Sequence, residues 1–315
     1  MARANRYVID WTKYEAPKPA VEGTRVFAEY PLHELVERIY WTPFFRAWEL
    51  AGNYPAILED PVVGESAKKL YADARKMLEH IVREKWLSAK GVVAFWPCRR
   101  DGDDVVLYTD DTRTRELSRL HFLRQQIEKR SGRANMCLAD FISPDRDWIG
   151  GFAVSAGHGI EEHLRRFAAD HDDYSGIMLK ALADRLAEAF AERLHERVRK
   201  TLWGYAPDEA LSNDELVREK YRGIRPAPGY PACPDHSQKP ELFRLLNAGQ
   251  NAGMTLTESF AMLPTAAVSG YYFAHPEAQY FGVARIGRDQ VEDYARRRGM
   301  PVEQAERYLR PNIGY

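Results

Sequence analysis

The sequence is poor in cysteine, in long apolar runs and in net charge. Its three cysteines, Cys98, Cys137 and Cys233, lie far apart, which argues against a disulfide framework and favours a reducing compartment. No stretch approaches the roughly 18–20 apolar residues of a membrane-spanning helix, and the N-terminus has no apolar signal core. The 45 basic residues nearly balance the 46 acidic ones, so no nucleic-acid footprint is visible. We therefore expect a cytoplasmic globular protein with no membrane or nucleic-acid partner.

The common phosphate-binding and hydrolase signatures are also missing. No GxGxxG follows a strand pattern, and neither GxxxxGK[ST] nor GxSxG occurs, which excludes the usual nucleotide-binding loops and the nucleophile elbow. Apolar segments with strand character come in hairpins and the helical segments in separate blocks. This order favours an α+β fold with an antiparallel sheet over a parallel one.

Periodicity places the main elements. Apolar residues recur every four positions from Leu182 to Val198, which predicts a long helix over about 173–201. A second amphipathic helix is expected over 65–90. The other segments that we assign are a hairpin of strands 91–98 and 104–110, a short helix 121–130, and strands 134–142, 147–157, 256–263, 266–275 and 278–286. Residues 1–30 have no sustained period and are expected to form an N-terminal arm, with one domain over 31–315.

Three groups of residues are open to more than one interpretation. Glu188 lies off the apolar stripe of the long helix, on the same side as Asp184 and His195, and periodicity alone favours a solvated face with salt bridges over a binding site. The aromatic run 40–48 is typical of core packing, although it also suits a planar ligand. Cys233 and His236 are too few for a structural zinc site, so we expect no metal there.

The segment 221–236, YRGIRPAPGYPACPDH, contains four prolines and two glycines. Pro226 and Pro228 fix the backbone beside Arg225, and Gly229 permits an unusual φ or a close approach. Stiff prolines leave carbonyls available as acceptors, while the guanidinium can clamp a carboxylate. The segment therefore suits a ligand that carries both an amine and a carboxylate, but a turn-rich surface loop explains it too.

Long runs of this sequence resemble the activation domain of cobalamin-dependent methionine synthase. The likeness covers essentially the whole chain and is carried by WTPFFRAWELAGNYPAILED, LRQQIEK, HDDYSGIMLKALADRLAEAFAERLHERVRK, GYAPDEALSNDELVREKYRGI, RPAPGYPACPDH and the segment from LTESFAML to RRRGM. The resemblance implies a C-shaped single α+β domain around a bent antiparallel sheet with flanking helices.

The resemblance also implies a role. The family domain binds S-adenosylmethionine and caps the cobalamin module. When the cobalamin is oxidised to inactive cob(II)alamin, a flavodoxin-type protein supplies an electron and S-adenosylmethionine supplies a methyl group, so that methylcobalamin is regenerated. The partners implied are thus the cobalamin-binding module and a flavodoxin-type electron donor, and cobalamin itself is not expected to bind this chain alone.

Carried over by position, the resemblance implies a set of ligand-binding residues and no catalytic residue. Arg225, Gly229 and Tyr230 match the family motif R-x-x-x-G-Y. The other positions that match are Ala227 through its backbone, the acids Glu188 and Glu219, Tyr280, and Phe281 beside it.

One position departs from the family. Tyr40 stands where the family commonly has an aspartate that accepts from the ligand, and a phenol brings no negative charge at neutral pH. Two hypotheses follow: a domain that binds S-adenosylmethionine, or a docking module that has lost it. Homocysteine, folate and cobalamin modules are not recognisable in the chain. We therefore expect either an excised domain or a stand-alone subunit that does not make methionine alone.

Overall fold

A computed structural model describes residues 1–129 and 132–315. Within them, six strands form one antiparallel sheet. The strands are β1 (Gly23–Tyr30), β2 (Ser88–Asp101), β3 (Asp104–Tyr108), β4 (Glu116–His121), β5 (Asp147–His158) and β8 (Ala267–Tyr272). A separate two-stranded ladder joins β6 (Thr255–Leu256) to β7 (Met262–Leu263).

The long strand β2 organises the sheet. β1 and β3 follow one another along one edge of β2, whereas β5 runs along the other edge and pairs in turn with β8. Side chains alternate across β2, so that Val93 and Phe95 join one hydrophobic core while Val92 and Ala94 join the other. Because both faces are buried, the segment reads as a continuous apolar run.

Ten α-helices are present in the described ranges. They are α1 (Leu32–Val36), α2 (Thr42–Ala47), α3 (Gly64–Arg83), α4 (Ile160–Ala169), α5 (Asp173–Arg197), α6 (Asn213–Val217), α7 (Lys239–Leu246), α8 (Ala248–Ala252), α9 (Arg288–Arg298) and α10 (Val302–Leu309). A π-helical turn over Val198–Leu202 extends α5.

Helix α5 lies across β5 and β8 and fills the larger core. Its Phe190 is fully buried against Gly91 of β2, where a Cβ atom would lie 2.9 Å from the phenyl ring. Glycine at this position permits the close approach of helix and sheet. The second core, on the opposite face, is closed by α7, α8 and residues 137–142, and a third, smaller core joins α9 to α10.

The α+β fold with an antiparallel sheet is confirmed, and so are the long helix and the 91–110 hairpin. Residues 23–30, at the end of the predicted arm, pair with β2 as part of the sheet. None of the helices in the described ranges is long and apolar enough to cross a membrane.

Four local assignments were wrong. The predicted strand 256–263 is a tight hairpin instead, in which Leu256 pairs with Met262. The segment predicted as helix 121–130 contains the last residue of β4 and then non-helical backbone up to residue 129, and residue 130 lies outside the described residues. In place of the predicted strand 134–142 a short 3-10 turn spans Leu138–Phe141, because Asp140 binds the backbone N–H of Cys137 and pairs with buried Arg124. Residues 278–286 form no ladder apart from an isolated bridge at Ile286.

Candidate functional site

A cleft of about 650 Å³ opens beside the C-terminal half of α5. Its walls come from the turn before α2, from α5, from α6 and from the segment 219–225. The charged and phenolic side chains that line it are Arg38, Tyr40, Tyr54, Arg185, Glu188, Glu192, Asp214, Glu219, Tyr221 and Arg225. The fold thus brings four of the residues expected at the site, Tyr40, Glu188, Glu219 and Arg225, to a single cleft.

The guanidinium of Arg225 is fixed by three partners. Nη2 donates to Glu192 Oε2 at 2.8 Å, and Nη1 donates to Tyr221 Oη at 3.2 Å and to His195 Nδ1 at 3.1 Å. A guanidinium has five N–H groups, so two of them remain without a partner among the described residues. Since 21% of the Arg225 side chain is exposed, the arginine is anchored but still reaches the cleft.

Charge interactions keep this arginine protonated. Burial lowers its pKa, but the carboxylate of Glu192 and the surrounding phenols outweigh that effect and raise it overall. Burial raises the pKa of Glu219, and the Arg225 cation opposes this rise. The cleft therefore offers the Arg225 cation together with Arg38, Arg185 and several carboxylates, a set that suits a zwitterionic ligand.

The loop that follows Arg225 is tied to the sheet. Ile224 exchanges two hydrogen bonds with Phe273, and the Pro226 carbonyl accepts from the Tyr271 N–H at 2.8 Å. The Ala227 carbonyl accepts from the Tyr230 N–H at 3.1 Å. These two carbonyls already have partners, so the expectation of a run of free carbonyls was wrong for them. The loop is stiff because the sheet and its own turn hold it.

The other expected residues lie around the cleft or away from it. Tyr280 contacts the main chain of Arg225, and its hydroxyl accepts a hydrogen bond from the backbone N–H of Arg225 at 3.0 Å. Ala227 is buried. Tyr230 is 57% exposed, and burial followed by the nearby Glu188 charge raises its pKa. Phe281 packs against Phe141 in the second core, with ring centroids 6.5 Å apart, and does not line the cleft.

The sequence patterns did not indicate that Glu192, His195 and Tyr221 hold the guanidinium of Arg225. His195 was expected on a solvated face with Glu188, but it is completely buried whereas Glu188 is exposed. The two share one side of α5, and the 221–225 segment and β8 cover only the end that carries His195. Glu192, one turn after Glu188, had the spacing of a residue on the same face.

Cys233, His236 and most of the aromatic run 40–48 lie away from the cleft. Cys233 is buried and accepts weakly from Gln238, while His236 is exposed and contacts Lys239. In the aromatic run, Trp41, Phe44 and Phe45 belong to the core, although Trp41 also lines the cleft, and Tyr40 is 41% exposed at its rim.

An α+β domain with a charged cleft at the end of its longest helix is the class that the fold and the site define. Residues 31–299 match the family model described as vitamin B12 dependent methionine synthase, activation domain. A solved structure of the MetH reactivation domain bound to AdoHcy is 55% identical, covers 100% of this chain and 97% of its own, and superposes with a TM-score of 0.97. The chain belongs to the family of methionine synthase activation domains.

The loop geometry generates a stability prediction. Gly229 has φ +97°, and a Cβ atom there would lie 2.1 Å from the His236 ring. We expect Gly229→Ala to lower the free energy of unfolding by about 2–3 kcal/mol, from backbone strain and collision together, as measured by urea denaturation.

The matched control is Gly102→Ala in the β2–β3 turn, where φ is +65° and the Cβ would meet nothing within 4 Å. That variant should lose only about 1 kcal/mol. The double variant Gly229→Ala/His236→Ala should regain the part of the unfolding free energy that Gly229→Ala loses through collision with the His236 ring. Equal losses at the two glycines would contradict the packing described for this loop.

Proposed function

We propose that the cleft binds S-adenosylmethionine and presents its methyl group to the cobalamin of a partner module. The observation that carries the proposal is the state of Arg225, which lines the cleft, is held by Glu192, His195 and Tyr221, and retains two N–H groups with no partner among the described residues. A pair of N–H donors on one guanidinium is the partner that a carboxylate prefers. The related MetH reactivation domain was solved with AdoHcy bound, which carries the same amino-acid portion.

The charges of the ligand match those of the cleft. In the proposed complex, the carboxylate binds Arg225, while the ammonium and the sulfonium lie near Glu188 and Glu219. Ala227 supports this arrangement because its backbone N–H has no partner among the described residues. That group and Tyr230 would contact the adenosine part, and Tyr280 would act indirectly by fixing the backbone of Arg225.

In this role the protein positions a methyl donor. S-adenosylmethionine supplies an electrophilic methyl group, and the partner's cobalamin accepts it. The residues of this chain bind the amino-acid end of the donor and hold it in place, so the rate gain is one of proximity and orientation. No general base is assigned, because no proton has to leave a residue of this chain.

The partners follow from the family. The cobalamin-binding module of methionine synthase is the proposed docking partner, and a flavodoxin-type protein is the proposed electron donor. The domain would support reactivation and would not make methionine alone. A docking module without a ligand is the second candidate, favoured by the neutral Tyr40 at the rim of the cleft.

Replacing Arg225 tests the proposed ligand site. We expect Arg225→Ala to weaken binding of S-adenosylmethionine by about a hundredfold, because charge-assisted hydrogen bonds to a carboxylate are lost. Arg225→Lys keeps the positive charge but loses the paired N–H donors of the guanidinium, so its affinity should lie between those of the native protein and Arg225→Ala. Isothermal titration calorimetry measures both.

The control is Arg244→Ala, which removes a surface arginine paired with Glu241 on α7 and should leave binding unchanged. Thermal melting of each variant separates lost binding from lost folding. If native protein and Arg225→Ala bind equally well, or neither binds, the proposed ligand site is refuted.

Tyr40 separates the two candidate functions. Restoring the family residue with Tyr40→Asp adds a negative charge at the rim of the cleft and should tighten binding of S-adenosylmethionine by about three- to tenfold. Tyr40→Phe keeps the ring and should change affinity little. Titrations with both variants distinguish the cases: binding by Tyr40→Asp but not by the native protein would favour the docking module.

A further inference from the structure

His195 lies directly behind the arginine of the proposed site. Its Nδ1 is 3.1 Å from Arg225 Nη1, and its ring stacks on Tyr272 at a centroid distance of 5.1 Å and an interplanar angle of 18°. The edge of the ring meets Tyr221 at 4.8 Å. The side chain is completely buried, so its orientation is fixed by packing.

The hydrogen bond to Arg225 dictates which nitrogen carries the proton. A guanidinium has only donors, so Nδ1 must accept, and the neutral ring must carry its proton on Nε2. Protonation would place an Nδ1–H against an Arg225 N–H and a second positive charge beside the first. The hydrogen bond that holds Nη1 would then be lost.

The charges around the ring favour the neutral form. Arg199 and Glu192 lie on the same extended helix as His195. Arg225 and Tyr221 face the His195 ring from the 221–225 segment, and Tyr272 faces it from β8. Burial, reinforced by the Arg199 and Arg225 cations, lowers the pKa of His195 well below its ordinary value. At neutral pH, the ring therefore remains an acceptor.

We propose that His195 is a positioning residue for ligand binding: its Nδ1 holds Nη1 of Arg225 so that the two uncommitted N–H groups face the cleft. This inference rests on the proposed binding of S-adenosylmethionine, since the arginine is the group that His195 positions. His195 itself does not line the cleft. Glu192 fixes Nη2 in the same way, so the guanidinium plane is held at both ends.

The ligand-free protein allows the first measurement. Long-range ¹H–¹⁵N correlation spectra of ¹⁵N-histidine-labelled protein report the tautomer of each ring, and the His195 signals are assigned by their absence in His195→Asn. We expect the neutral Nε2–H form at pH 7 and a shift of the Nδ1 resonance in Arg225→Lys. A ring protonated at Nδ1 at pH 7 would overturn the inference.

The second measurement is calorimetric titration with S-adenosylhomocysteine. His195→Leu fills the space but removes the acceptor, and we expect about tenfold weaker binding. His195→Asn places an oxygen close to the Nδ1 position and should lose less than about threefold. The control is His163→Asn on α4, where the ring stacks on Trp86 and does not contact Arg225, and it should bind like the native protein.

The pH dependence distinguishes positioning from general support of the fold. Native affinity should fall on acidification as His195 becomes protonated, and His195→Asn should lack that component. A second component should remain in both proteins, because Glu219, whose pKa is raised by burial, loses its negative charge and its attraction for the ligand's ammonium as the pH falls. Native-like binding by His195→Leu, or identical pH profiles, would overturn the role of His195 and leave the proposed function intact. Absence of binding by the native protein would overturn both.

Discussion

The ion pair between Arg225 and Glu192 joins the two halves of the cleft. Glu192 belongs to α5, which is anchored by the larger core, and Arg225 begins the proline-rich loop, which is tied to β8. Both side chains are mostly shielded from water, so loss of either partner would leave a poorly solvated charge. The cleft exists in its observed shape because helix and loop meet at this contact.

The pair also sets the chemistry of the site. A lone buried guanidinium would cost solvation energy without a counter-charge. With Glu192, His195 and Tyr221 around it, three N–H groups are satisfied and two have no partner in the part of the chain that the structure describes. The same contacts that stabilise the arginine therefore determine how many donors a ligand can use. Tyr280 adds to this by holding the backbone at the same residue.

The sequence predicts much of this arrangement because some of its signals are local. The four-residue repeat gives α5, the apolar run 91–98 gives the central strand, and the Pro–Gly pattern marks the loop after Arg225. Recognition of the family then directs attention to Glu188, Glu219 and Tyr40. The cleft brings these positions together with Arg225, although they lie up to 185 residues apart in the chain.

The missed features depend on tertiary contacts. The burial of His195 is decided by the 221–225 segment and by β8, which periodicity along α5 does not reveal. Residues 278–286 have the composition of a strand, but Tyr280 turns towards Arg225 and Phe281 packs against Phe141, and the segment forms no ladder. Buried Arg124, paired with Asp103 and Asp140, likewise organises its surroundings without a helix.

The central claim is that Arg225 recognises the carboxylate of the ligand. The most direct test compares calorimetric affinities of the native protein for S-adenosylhomocysteine and for 5′-methylthioadenosine, which keeps the adenosine and sulfur but lacks the amino-acid group. We predict that methylthioadenosine binds at least about a hundredfold more weakly, because the two free N–H groups of Arg225 have no carboxylate to bind. Equal affinities for the two compounds would contradict the account.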